Sequence, residues 1–180
     1  MKQILCSFLL LAAFPAFAVD YSVQPGSTLG FSGTFQGEAF NGEFKQFEAT
    51  ISYDPANLAA SKFDVSVDID SVATGDSDRD NALPGDEFFD VGKYPKARFV
   101  STAFRQHGDK VIADGNLSIK GVSKPVGLDV GFTPTGDGAT LTVTTKLNRS
   151  DFHVGTGDYA DTSTIGADVT VNGKLNLAAK

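Results

Sequence analysis

The stretch KFDVSVDID, residues 62–70, constrains the fold more than any other part of the chain. Phe63, Val65, Val67 and Ile69 alternate with Asp64, Ser66, Asp68 and Asp70. A period of two puts the apolar side chains on one face of an extended strand and the polar ones on the other. Such a strand hides one face and wets the other, as strands of antiparallel sheets do. The pattern recurs along the chain. Its apolar sets are Val111, Ala113, Gly115, Leu117 and Ile119; Val126, Leu128, Val130 and Phe132; Leu141, Val143, Thr145 and Leu147; and Val169, Val171, Gly173, Leu175 and Leu177. Nearer the start they are Leu29, Phe31, Gly33 and Phe35, then Phe47, Ala49, Ile51 and Tyr53. Phe44 is out of phase with the last set, which predicts a β-bulge at Lys45-Gln46. ARFVSTAF does not choose between Phe99 with Ser101 and Val100 with Phe104. Turn signals such as YDPAN, QHGDK, KGVSKP and PTGDG separate about eight such strands.

About eight antiparallel strands with one apolar face each predict an all-β fold, either a closed barrel or a two-layer sandwich. Strands of about nine to eleven residues are long for a sandwich, and closure removes the exposed edges. Gly33, Gly115 and Gly173 fall on inward faces, where large side chains would otherwise fill the lumen. An eight-stranded barrel is just wide enough to be filled by side chains or to hold one small ligand, and small inward residues favour the ligand.

The first 18 residues, MKQILCSFLLLAAFPAFA, combine a basic start, a short apolar run and Ala16-Phe17-Ala18. That is the pattern of a cleaved secretory signal, too short to span a bilayer, and it leaves residues 19–180 as one domain. An N-terminal anchor helix is the alternative reading. The one cysteine, Cys6, lies inside this leader, so the expected mature chain has neither disulfides nor thiol chemistry. The formal net charge of −7 argues against nucleic acid and against attraction to anionic lipid head groups.

Residues 74–95, TGDSDRDNALPGDEFFDVGKYP, break the alternation. Asp76, Asp78, Asp80 and Glu87 match the acidic spacing of an EF-hand loop. However, Asn81 stands where that loop needs glycine, Pro84-Gly85 interrupts it, and the flanks are not amphipathic helices. The better reading is a short helix from Asp78 to Leu83, capped by Ser77 with Asp80, and ended by Pro84-Gly85. Asp86 is expected to cap a second turn carrying Phe88 and Phe89, with Leu83, Phe88 and Phe89 tucked into the barrel mouth.

Enzymatic readings have little to stand on. The two histidines are His107, in a hairpin signal, and His153, near Asp151 and Asp158. The second group leaves open a secreted hydrolase or a metal-dependent enzyme. Ser150 and Asp151, if on a strand, point to opposite faces and form no dyad. A ligand-free structural module is the third class.

The segment RDNALPGDEFFDVGKYPKARFVST, residues 79–102, resembles the signature of the YceI family: Arg79-Asp80, Leu83, Phe88-Phe89, Tyr94-Pro95 and a following Phe-containing strand. LGFSGTFQGEAFNGEFKQFEATISYDPAN, GNLSIKGVSKPVGLDV and LNRSDFHVGTG extend the resemblance over nearly the whole mature chain. His153 departs from it, standing where the family usually has glycine. The resemblance implies an eight-stranded, lipocalin-like antiparallel β-barrel with a short helical cover, exported to the periplasm. It also implies a long apolar amphiphile in an internal tunnel: a polyisoprenoid, an isoprenoid quinone or a fatty-acid derivative. No catalytic residue, metal or cofactor is implied. A transient inner-membrane partner and a homodimer stay open. With the inward faces read above, the expected tunnel lining and mouth are Phe31, Phe35, Phe47, Ile51, Phe63, Val65, Val67, Ile69, Leu83, Phe88, Phe89, Phe99, Leu117, Ile119, Leu128, Val130, Leu141 and Val143. A barrel about 25 Å tall is shorter than an extended long isoprenoid, so the ligand bends or protrudes. At up to about 0.8 kcal/mol per buried CH₂, tail length outweighs head group in affinity.

Overall fold

The structure is a computed structural model and describes residues 18–180, so nearly all of the expected leader lies outside the described residues. The strands are β1 (Val19–Val23), β2 (Thr28–Phe35), β3 (Glu38–Phe44), β4 (Phe47–Tyr53), β5 (Lys62–Asp68) and β6 (Val72–Ala73). They continue with β7 (Lys96–His107), β8 (Lys110–Ile119), β9 (Val122–Thr135), β10 (Gly138–Asn148) and β11 (Asp168–Ala179). All join one antiparallel sheet, in which β1-β4-β5-β7-β8-β9-β10-β11 closes on itself through β1 and β11. The ring is an eight-stranded closed barrel.

Three of the eight staves are broken. β1 leads into β2 across residues 24–27, β3 into β4 at Lys45-Gln46, and β5 into β6 through the 3₁₀ turn Ile69–Ser71. The breaks at 45–46 and 69–71 are tied together: Lys45 N–H donates to the Ser71 carbonyl, and Asp68 N–H to that of Gln46. The phase change between Phe44 and Phe47 is therefore a strand break, not the expected bulge within one strand. Below it β4 pairs with β1 and β5; above it β3 pairs with β2 and β6. A true bulge lies elsewhere. The β7–β8 register shifts between Ser101 and Ala103, which turns both Phe99 and Phe104 inward and resolves the ambiguous ARFVSTAF.

Helix α1 (Ser77–Ala82) follows β6. Its cap is Asp76, whose carboxylate accepts from Arg79 N–H, one residue before the expected Ser77. Asp80 instead accepts from the Thr74 N–H and hydroxyl at 2.8 and 2.7 Å. Residues 83–95 continue as hydrogen-bonded turns, Phe89 N–H to Leu83 O and Asp90 N–H to Gly85 O, rather than as a second capped helix.

The interior is divided along its length. In one half Tyr21, Ile51, Tyr53, Phe63, Leu141, Leu175 and Leu177 are buried together, with Phe104 and Phe132 packed against them. Ring centroids of Tyr53–Phe132 and of Phe63–Phe104 lie 4.8 Å apart, within the range where aromatic pairs add to area burial. This is an aromatic plug. The other half contains smaller clusters around Val72, Leu83, Phe88, Phe152 and Val154, and around Val67, Ile69 and Ala97.

Candidate functional site

Above the plug lies a cavity of about 220 Å³. Leu29 and Phe31 of β2, Phe40 and Phe44 of β3, Val65 and Val67 of β5, and Phe99 of β7 form one side of its wall. Leu117 and Ile119 of β8, Leu128 of β9, Val143 and Leu147 of β10, and Val169 and Val171 of β11 form the other. Ile69, Leu83, Phe88, Phe89, Phe152, Val154 and Ile165 come from the segments that close the end. The side chains alternate inward for the reason legible in the sequence, and above the breaks at 45–46 and 69–71 the wall is built by β2, β3 and the upper parts of the long strands. Many wall residues, Phe31, Phe44, Val65, Leu117 and Val171 among them, keep partial exposure inside the molecule, because they face the cavity instead of packed atoms.

Of the residues expected to line the tunnel, Phe31, Val65, Val67, Ile69, Leu83, Phe88, Phe89, Phe99, Leu117, Ile119, Leu128 and Val143 border the cavity. Six do not. Ile51, Phe63, Val130 and Leu141 are sealed in the plug. Phe47 packs between the plug and the Val67 cluster. Phe35, the last residue of its strand, is 39% exposed. Alternation identifies the inward face but not the height along the barrel axis, and height decides between plug and cavity. Gly115 also serves packing rather than open space: a Cβ there would meet the Phe99 ring at 2.5 Å, so the missing side chain seats that ring.

The wall is chemically apolar. Among the described residues no buried side-chain nitrogen or oxygen lacks a hydrogen-bond partner. The one buried cation bordering the space, Arg149, is 6% exposed and spends all five donors on backbone carbonyls. It donates to Gly166, Val154, Gly155, Tyr159 and Ile165 at 2.7–3.1 Å. Burial pulls its pKa below the ordinary arginine value; the carbonyls keep the charge tolerable. Arg149 thereby folds residues 149–166 over the barrel end.

Two further residues clasp that loop to the cover. The Glu87 carbonyl accepts from the N–H groups of Gly155 and Thr156, and its carboxylate from Asp158 N–H. Lys120, at φ 48° in the tight β8–β9 turn, donates to the Asp86 carbonyl at 2.6 Å and the His153 carbonyl at 2.8 Å. Burial pulls the Lys120 pKa below its ordinary value. Phe88 of the cover packs at a tilt against Tyr159 of the loop, centroids 4.6 Å apart.

Three of the four acids of the EF-hand spacing are dispersed over these tasks: Asp76 caps α1, Asp80 holds Thr74, and Glu87 holds Asp158; Asp78 lies in the first turn of α1. Ser150 and Asp151 lie on the 3₁₀ turn Arg149–Phe152, not on a strand as the sequence reading assumed. His153 ends that turn at φ 55°, in the left-handed region. Glycine is the residue suited to that conformation, which accounts for the position where the sequence departs from the family pattern.

Similarity to known proteins agrees with this architecture. A UPF0312 protein of Pseudomonas syringae pv. tomato is 33% identical over 175 residues, 91% of each chain. The crystal structure of Burkholderia cenocepacia BcnA superposes with a TM-score of 0.83 at 31% identity, covering 87% of this chain and 99% of that one. A polyisoprenoid binding domain from Saccharophagus degradans, implicated in plant cell wall breakdown, shares the fold with a TM-score of 0.68 at 17% identity, covering 92% of this chain and 100% of that one. Residues 21–177 match the YceI-like domain, and the chain belongs to that family.

Proposed function

We propose that the protein binds a long-chain apolar amphiphile, a polyisoprenoid, an isoprenoid quinone or a fatty-acid derivative, with its tail in the cavity above the plug. The reading places it in the periplasm after export, as a carrier or store rather than an enzyme, with no metal or cofactor. The observation that carries it is the cavity wall, assembled mainly from inward apolar side chains of every stave, with no fully buried side-chain nitrogen or oxygen left unpaired among the described residues. Such a wall gains from burying methylene and methyl groups and offers nothing to a polar solute. The polyisoprenoid-binding domain of the same fold supports the ligand class. At about 220 Å³ the space is below the usual range of ligand pockets, roughly 300–1,000 Å³. A long tail therefore requires the cover to yield or the chain to project through the rim.

Native mass spectrometry of gently purified protein tests this. The expected result is a lipid adduct lost on organic extraction and restored by adding an isoprenoid. Protein that carries no lipid and takes up no apolar fluorescent probe would overturn it.

A further inference from the structure

The cavity wall specifies what enters; the rim bears on what stays outside. Arg79 of α1 lays its guanidinium over the Phe40 ring, 4.2 Å from the centroid. Phe40 borders the cavity and is partly exposed. Stacking on the ring face leaves the in-plane N–H donors of a guanidinium free. At Arg79 they remain so: among the described residues the guanidinium makes no hydrogen bond, and its ion-pair partner Asp76 stands at 3.9 Å, beyond hydrogen-bond reach. The Arg79 side chain keeps 24% exposure. Asp80 beside it is turned to Thr74. The other cations around the cavity are committed. Arg149 spends five donors on carbonyls, Lys120 bridges Asp86 and His153, and Arg98 grips Asp64 at 2.9 and 2.6 Å.

We propose that Arg79 is the head-group site of the cavity, taking the anionic oxygens of an amphiphile, a carboxylate or a phosphate, whose tail lies against Phe40 and the wall beyond it. The assignment rests on the proposed tail-binding function. It follows from the pairing of a stacked guanidinium with unspent donors and an apolar space that begins under the same ring. A planar fork of donors matches a carboxylate or phosphate bidentately. In a chain of net charge −7, such a group discriminates between amphiphiles of equal tail rather than raising encounter rates.

The test is displacement of an apolar fluorescent probe by hexadecanoate and by hexadecanol at pH 8, in the parent protein and in Arg79→Gln, Arg79→Lys and Asp76→Asn. Hexadecanoate is expected to compete about five- to tenfold better than hexadecanol. Arg79→Gln should erase the preference while leaving hexadecanol binding within about twofold, and Arg79→Lys should keep part of it. Asp76→Asn retains a capping side chain and removes the competing carboxylate, so the preference should widen. Equal competition by the two ligands in the parent, or an intact preference in Arg79→Gln, overturns the head-group site and leaves the tail reading standing. Failure of the probe itself to bind overturns the tail reading, and the head-group site with it.

Discussion

On β10, Leu141 and Val143 point inward two residues apart. Leu141 is 1% exposed among the rings of the plug, whereas Val143 borders the cavity. The two halves of the barrel are made from the same long strands β7 to β11 and differ in what meets at their centre. Below the stave breaks Tyr21, Tyr53, Phe63, Phe104 and Phe132 converge from different strands and fill the axis. Above them Phe31, Phe40 and Phe44 pack edge-on or tilted along one wall, β2 and β3, and the axis stays open. The fillings are held differently as well. The plug is held by packing. The cavity end has smaller apolar clusters and adds polar contacts, through Arg149, Lys120, Glu87 and Asp80, between segments that are not strands. On the proposed tail-binding reading, stability and access fall to different halves: the plug fixes the fold, and the cover is the part that has to yield to a ligand.

The largest expected contrast is between Phe63→Ala and Phe89→Ala. Phe63 is 2% exposed, and its removal leaves a void in the plug, expected to cost about 3–5 kcal/mol. Phe89 borders existing space, so its loss should cost about 1–2 kcal/mol but speed release of a bound apolar probe. Denaturant melts alongside probe off-rates decide it; equal destabilisation would erase the division into plug and cavity. Next is Arg149→Met, which keeps an apolar stem and leaves five carbonyls to find water. It should cost about 2–4 kcal/mol, with hydrogen exchange accelerated first at residues 149–166. Protection that falls uniformly over β10 and β11 would show that the two halves are not held separately.

A smaller effect should separate Leu141→Phe from Val143→Phe. The first overpacks the plug, at about 1–3 kcal/mol. The second has space to fill and should leave the melt nearly unchanged while blocking probe uptake; uptake at the parent level would mean that ligands do not reach this depth. The smallest effect is a pH dependence. The Thr74 hydroxyl, then its N–H, hold the Asp80 carboxyl below the ordinary carboxylate range. A depressed folded pKa gives a contribution that is complete above the unfolded value, roughly 3.9, and is lost as pH falls through the lower folded value. Probe release should therefore quicken below about pH 4, and Asp80→Asn should flatten that rise. Asp64, also lowered, by its hydrogen bond to Arg98, lies on the outer wall, so its Asn variant should leave the rise intact.

The strands were legible because one-sided burial writes a period of two into the sequence. Residues 62–70 carry it without interruption as far as Asp68, where the chain bends. The cavity was legible only as a face. Phe63 and Val65 read alike, and the difference between them is set by rings arriving from β4 and β7, which no local pattern records. The bulge at Ser101 hid behind two apolar faces of equal weight. The closing clasps were not legible, since Arg149 bonds to backbone carbonyls of its own loop and Lys120 and Glu87 to backbone groups of distant ones, and such groups impose no residue type on their partners. Phe40, Phe152 and Val154 were also missed. The apolar pair Phe152 and Val154 beside polar and glycine residues was the available signal that this loop turns inward.

Closure of the ring has a consequence in time. The first part of β11 bonds to β2, from Thr170↔Ser32 to Lys174↔Thr28, and its last part to β1, from Leu177↔Val23 to Ala179↔Tyr21. The opening and final strands of the domain are thus the two sides of one seam. Pairings so distant in sequence are reached late, on the slow millisecond-to-second scale of non-local β topologies. Until β11 arrives, β10 and the β1–β2 stave are unpaired edges, open to wrong partners. The last dozen residues of the barrel are therefore its latch, and a chain that lacks them has no small domain to fall back on.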